Sequence, residues 1–177
     1  LNGLAKYTGN TAKPFTVTGY QLEAAQFSSP YIPTPNTTIT RSADASTISN
    51  LRTLGYQQDR GTLVVVAKAP PGVATARTLA TFNDATSNDC IRLHMQAGGS
   101  LRAQVIDGGV TVADLALGTL TANQDVRAAI AFSANDIRGC LNGGAIQTDA
   151  SATLPTVSRL QIGDDVTASH WCAPIKR

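Results

Sequence analysis

From residue 46 onward, apolar residues recur at every second position in short runs, separated by Gly, Pro, Asn and Asp. Thr62 to Lys68 is nearly all apolar and β-branched, and Pro70-Pro71-Gly72 stops it. Arg77 to Asn83 predicts a second strand, anchored by Leu79 and Phe82. Cys90 to Ala97 alternates, with Ile91, Leu93, Met95 and Ala97 on one face and Cys90, Arg92, His94 and Gln96 on the other. Ala128, Ile130, Phe132 and Ala134 make a further apolar face, and Asn135-Asp136 predicts the turn that returns it through Ile137, Gly139 and Leu141. Ser158 to Gly163 and His170 to Ile175 complete the set. About ten to twelve strands at this spacing predict an all-β fold, a two-sheet antiparallel β-sandwich of jelly-roll type. Leu63, Val65, Leu93, Met95, Val105, Ile130, Phe132 and Ile162 are the expected core. Ser46 to Leu54 and Leu115 to Asp125 are the stretches with helical potential, both short.

Two turns can be placed in register. A three-residue loop at Gly98-Gly99-Ser100 sets Ala97 against Leu101, Met95 against Ala103 and Leu93 against Val105. The polar partners then match as well, Gln96 with Arg102 and His94 with Gln104. Asp107-Gly108-Gly109-Val110 predicts a tight two-residue hairpin.

Composition strengthens the all-β reading. The 177 residues include 22 threonines and 15 glycines against 4 lysines and 1 glutamate, a mixture suited to pleated sheet and turns rather than helix surfaces. The hydrophobic fraction of 42% supports a real core, and no apolar run is long enough to span a bilayer as a helix. A net charge of +2 provides no electrostatic footprint for nucleic acid or an anionic membrane, so neither is expected as a partner. Cys90, Cys140 and Cys172 show no CxxC spacing and read as three reduced thiols.

Residues 1–45 differ from the rest. Phe15 to Leu22 alternates enough for one strand, and Pro30, Pro33 and Pro35 then exclude a central strand or helix. The segment is too short for its own core and is expected to be an extended strand and linker, a strap ahead of a domain over 46–177. The start at Leu1, the single Met95 and the abrupt end at Lys176-Arg177 suggest a piece of a longer chain.

Gly61-Thr-Leu-Val-Val-Val-Ala67, Ala80-Thr-Phe-Asn-Asp84, Ile91-Arg-Leu-His-Met95, Val126 to Asp136, Leu141-Asn-Gly-Gly144 and Arg159-Leu-Gln-Ile-Gly163 resemble, in that order, the laminin-G-like, concanavalin A-like lectin/glucanase module. Upstream, Gly19 to Ala24, Ser29-Pro-Tyr-Ile-Pro-Thr34 and Thr40-Arg-Ser-Ala-Asp44 resemble the segment preceding this module in bacteriophage tail and other virion proteins. The resemblance implies a structural or adhesion module of a virion, in a tail fibre, spike or capsid decoration. Its implied partners are other virion proteins, a host-surface glycan, and further copies of the chain, with a trimer favoured. A purely structural oligomerisation module is the alternative.

The chemistry argues against catalysis. Glucanases of this fold need two close glutamates, whereas Glu23 is the single glutamate and lies outside the module. Asp164 and Asp165, read as neighbours on a strand, would point to opposite faces, and Asp84 and Asp89 read as turn residues. His94 and His170 have no Gly-x-Ser-x-Gly elbow beside them, and no phosphate or dinucleotide fingerprint is present. No cofactor is expected. Calcium in rim loops, as laminin-G-like modules hold it, would draw on Asp84, Asp89 or Asp107. Zinc would require Cys90 and His94 to meet His170 and Cys172. The candidate ligand-binding surface is the polar ladder Arg92, His94, Gln96, Arg102 and Gln104, which supplies planar hydrogen-bonding groups without an adjacent Trp or Tyr.

Overall fold

The computed structural model describes residues 46–167 and 169–176. The strap expected over residues 1–45 lies outside the described residues. Two antiparallel sheets face each other. The larger contains, in spatial order, β1 (Ser46–Ile48), β10 (Arg159–Ile162), β3 (Arg77–Asn83), β4 (Cys90–Met95), β5 (Ser100–Asp107) and β6 (Val110–Thr119). The smaller contains β2 (Arg60–Lys68), β7 (Asp125–Ser133), β8 (Asp136–Leu141) and β9 (Gln147–Asp149).

Alternation along each strand makes the core. Leu63 and Val65 of β2, Ile130 and Phe132 of β7, Leu93 and Met95 of β4 and Val105 of β5 are buried together. Ile162 packs against this core but is only partly buried. At one end the rings of Phe82 and Phe132 meet edge-to-face with centroids 6.0 Å apart, and Tyr56 joins them at 5.0 and 6.2 Å. A Cβ at Gly61 would lie 2.6 Å from Phe132 Cζ, so this strand position has to be glycine for the ring to fit.

The β4–β5 hairpin departs from its expected register by two residues. Met95 pairs with Leu101, Leu93 with Ala103 and Ile91 with Val105, while Arg92 faces Gln104 and His94 faces Arg102. The loop still has three residues, but they are Ala97, Gly98 and Gly99, and Gln96 N–H donates to the Ser100 carbonyl. Gly98 and Gly99 have φ of +92° and +88°, values that a loop ending in Ser100 would have forced on a residue with a side chain. A two-residue shift keeps every side chain on its face, so the core is unaffected. The Gly108-Gly109 hairpin forms as expected, with Asp107 paired to Val110.

Helix is confined, among the described residues, to one 3-10 turn at Leu51–Leu54, capped by Asn50 and closed by left-handed Gly55. Leu115 to Thr119 instead continues β6, and Ser46–Ile48 is β1. His170 to Ile175 is not a strand. Pro174 and the left-handed φ of Cys172 interrupt it, leaving one bridge between Ile175 and Ala67.

Candidate functional site: a polar cleft on the outer face of the larger sheet

The period-two alternation that sends Ile91, Leu93 and Met95 inward turns Cys90, Arg92 and His94 outward. Their cross-strand partners on that face are Thr81 and Asn83 of β3 and Arg102 and Gln104 of β5. The face is polar yet largely removed from water, with Thr81 and Asn83 1% exposed, His94 7% and Gln104 8%. Lateral hydrogen bonds make this possible. Arg159 Nε donates to Asn83 Oδ1 at 2.7 Å, and Asn83 Nδ2 donates to Gln161 Oε1 at 2.7 Å. Arg92 donates through Nε and Nη2 to Gln104 Oε1 at 2.9 and 2.6 Å.

The segment after β10 lies over this layer and is pinned by Asp165. Asp165 Oδ1 accepts from Thr167 N–H at 2.8 Å, Thr167 Oγ1 at 2.6 Å and Ser169 N–H at 3.3 Å, while Oδ2 accepts from Thr78 Oγ1 at 2.5 Å. Arg92 Nη1 stands 3.6 Å from the same Oδ2. Burial alone would raise the Asp165 carboxyl, but these hydrogen bonds outweigh it and hold the group below its usual value. Two residues beyond Ser169, Trp171 is in the core and donates its indole N–H to the Lys68 carbonyl at 2.9 Å.

Between this segment, the ends of β3 and β4 and the loop bearing Asn88 is a cleft of about 770 Å³. Arg77, Thr78, Arg92, His94, Gln96, Thr167 and Ser169 line it, and no Trp, Tyr or Phe does. Two nitrogens in its wall, Arg77 Nε and His94 Nε2, are buried without a hydrogen-bond partner among the described residues. Burial, reinforced by the Arg92 charge, pushes the His94 pKa down to about 4, so the ring is neutral at pH 7.

Of the ladder expected from the sequence, Arg92, His94 and Gln96 line the cleft. Gln104 stands behind it as the acceptor for Arg92, and Arg102 turns to Asp114 of β6, 2.5 Å from its Oδ1. Arg77, Thr78 and the Asp165–Ser169 segment join the cleft without having been singled out. The spacing Asp165-Val-Thr167 is an Asx-turn pattern and marked the local bend, but not its contact with β3 and β4. Asp164 and Asp165 follow β10 rather than lying on a strand.

The carboxylates considered for calcium each take part in local hydrogen bonds. Asp84 Oδ1 accepts from Thr86 N–H and Oγ1, Asp89 Oδ1 from Gly108 N–H, and Asp107 Oδ2 from Thr153 Oγ1. Cys90 and His94 do not gather with His170 and Cys172 into a ligand set among the described residues. Burial pushes the Cys90 thiol up to about 11, unfavourable for a thiolate ligand.

Comparison with solved structures places the sandwich among known folds. The chain is similar to the CBM40 module of the Ruminococcus gnavus IT-sialidase bound to α2,3-sialyllactose, with 13% identity, a TM-score of 0.54, and coverage of 74% of this chain and 84% of that one. The same module bound to α2,6-sialyllactose aligns at 15% identity and a TM-score of 0.50, covering 75% and 85%. Domains LG4-5 of the mouse laminin α1 chain align at 13% identity and a TM-score of 0.50, covering 69% of this chain and 32% of that one. The fold is therefore the concanavalin A-like lectin/glucanase sandwich, shared with carbohydrate-binding modules and laminin G domains. No family model and no curated protein matches the sequence.

Proposed function

We propose that this chain is a non-catalytic glycan-binding module whose ligand occupies the cleft on the outer face of β3, β4 and β5. The observation that carries this reading is one cleft of about 770 Å³ lined by the hydrogen-bonding side chains of Arg77, Thr78, Arg92, His94, Gln96, Thr167 and Ser169. Side chains of these types donate to and accept from saccharide hydroxyls. Neutral His94 serves a hydroxyl as donor or acceptor according to its tautomer. Gln96, Thr167 and Ser169 add groups of the same kind around it. Asp165 and Gln104 hold the Arg92 guanidinium in place, so little ordering is required on binding. The carbohydrate-binding modules that share the fold support the reading.

The full chain, applied to an array of immobilised oligosaccharides, should be retained on a subset of them, and His94→Ala should weaken that retention. Absence of retention on every glycan would overturn the reading and favour a purely structural module. The virion setting, and with it adhesion of a tail or capsid appendage to a host surface through other virion proteins, is supported by the Tyr31-Ile-Pro-Thr34 and Thr40 to Asp44 motifs. Adsorption of the chain to candidate host cells, competed by the retained glycan, tests it.

A further inference from the structure

We infer that the cleft holds an internal stretch of a sugar chain, about four units laid along β4 and leaving the protein at both ends, rather than a single terminal sugar. The inference rests on the glycan-binding reading above and adds the form of the ligand. It follows from the length of the cleft and from what stands at its two mouths. The lining begins at Asn88 and at Ile106, which pairs with Cys90 at the start of β4, and continues past Met95 to Gln96 and Ala97. At about 3.3 Å per residue, the stretch from Cys90 to Gln96 is about 20 Å long, room for about four pyranose rings end to end. One long wall is the segment bearing Thr167 and Ser169, tied to β3 where Thr78 N–H donates to the Ser169 carbonyl at 2.7 Å.

Small residues stand at both mouths. Gly109 is at one, and Ala76 and Ala97, both exposed, are at the other. None of these positions carries a side chain beyond the β-carbon, so a chain can run on into solvent in either direction. The φ of +80° at Gly109 favours glycine and keeps that mouth bare. Each mouth also carries a side-chain amide that makes no hydrogen bond among the described residues. Asn88 donates its backbone N–H to Thr86 Oγ1 at 3.1 Å and accepts from Gly109 N–H at 2.9 Å, and its side chain is exposed. Gln96 donates its backbone N–H to the Ser100 carbonyl at 2.9 Å, and its half-buried side chain lines the cleft. Such amides offer donors and an acceptor to sugar hydroxyls. Lying beyond opposite ends of β4, the two cannot serve one sugar ring, whereas a chain of several rings reaches both.

The test is binding as a function of chain length. The full chain, Asn88→Ala, Gln96→Ala and Ala97→Trp are each titrated with malto-, laminari-, manno- and chito-oligosaccharides of one to six units and with the parent polysaccharides. In a series that is bound, affinity should rise at least about tenfold from one unit to four and change little beyond. Asn88→Ala and Gln96→Ala, both outside the core, should each weaken the four-unit sugar about fivefold, the worth of one net hydrogen bond, and leave the two-unit sugar unchanged. Ala97→Trp, exposed on the hairpin loop, should obstruct one mouth and weaken the parent polysaccharide more than the two-unit sugar. A single unit bound as tightly as four, or variants that affect short and long sugars equally, overturns the inference while leaving glycan binding intact. Absence of binding to every sugar in the set overturns both.

Discussion

Replacing Asp165 by alanine should cost this protein about 4 kcal/mol, because one carboxylate holds together three parts of the outer face. Its side chain is 5% exposed and serves Thr78 of β3, Thr167 and Ser169 of the overlying segment, and the Arg92 guanidinium of β4. Removing one partner of a buried pair costs about 3–5 kcal/mol. Arg92 is 19% exposed and keeps Gln104, which places the pair at the lower end of that range. Thr78, 1% exposed, would lose the acceptor for its hydroxyl and adds about 1 kcal/mol. Urea unfolding of wild type and Asp165→Ala at pH 7 measures the difference. Its pH dependence has a definite sign. The folded-state carboxyl sits below its ordinary value of 3.8, so its contribution is fully present above that value and is lost as pH falls through the folded-state value. The gap between wild type and variant should therefore narrow only in strong acid. A loss below about 1 kcal/mol at pH 7, or a gap that persists at the lowest pH where both proteins fold, would refute this account of the anchor.

Phe132→Ala should destabilise by about 3–5 kcal/mol, since the ring is 3% exposed and in contact with Phe82; an unchanged melting temperature would mean the inward face of β7 is wrong. Gly61→Ala should cost about 1–3 kcal/mol by overpacking, because the new Cβ would stand 2.6 Å from Phe132 Cζ, and calorimetry reads the effect. His94 stays neutral in the fold down to about 4 while the unfolded chain binds its proton near 6.5, so stability should fall by about 3 kcal/mol across that window. His94→Gln should flatten the decline, and a variant with the same acid profile as wild type would contradict it. Deleting residues 1–44, which hold Phe15, Tyr20, Leu22, Phe27, Tyr31 and Ile32, should lower the solution mass or the melting temperature; light scattering and a thermal scan that detect neither would make that segment a passive linker.

The strands and their inward faces were legible because burial on one side of a sheet leaves a period of two in the sequence. Cys90 to Met95 shows it directly: Ile91, Leu93 and Met95 are all fully buried and all odd-numbered. Register was less legible, because moving the Gly98-Gly99 loop by one residue preserves every face and changes only which residues are opposite. The backbone requirement decided it, since the two glycines had to occupy the last two loop positions. The outward side of the same strand was readable as polar but not as buried. Burial there depends on Asp165 reaching Thr78, a contact across 87 positions of sequence that no local pattern announces.

One irregularity in β3 explains how that contact arises. Ala80 pairs with Leu93 and faces the core, so in a regular strand Thr78, two residues earlier, would face the core as well. Instead the register shifts between Thr78 and Ala80, and Thr78 pairs with His94, whose side chain is outward. Leu79 is the extra residue, fully buried, and this bulge brings the Thr78 hydroxyl onto the face where Asp165 arrives. Arg77 pairs with Met95, and its Nη1 donates to the His170 carbonyl. The core therefore keeps its alternation on both sides of Leu79, while the cleft acquires its anchor from a single inserted position. A strand without the bulge would bury an unpartnered threonine hydroxyl in the core and leave Asp165 without its contact to β3. The bulge is thus what joins the part of this chain that folds to the part that presents a polar cleft.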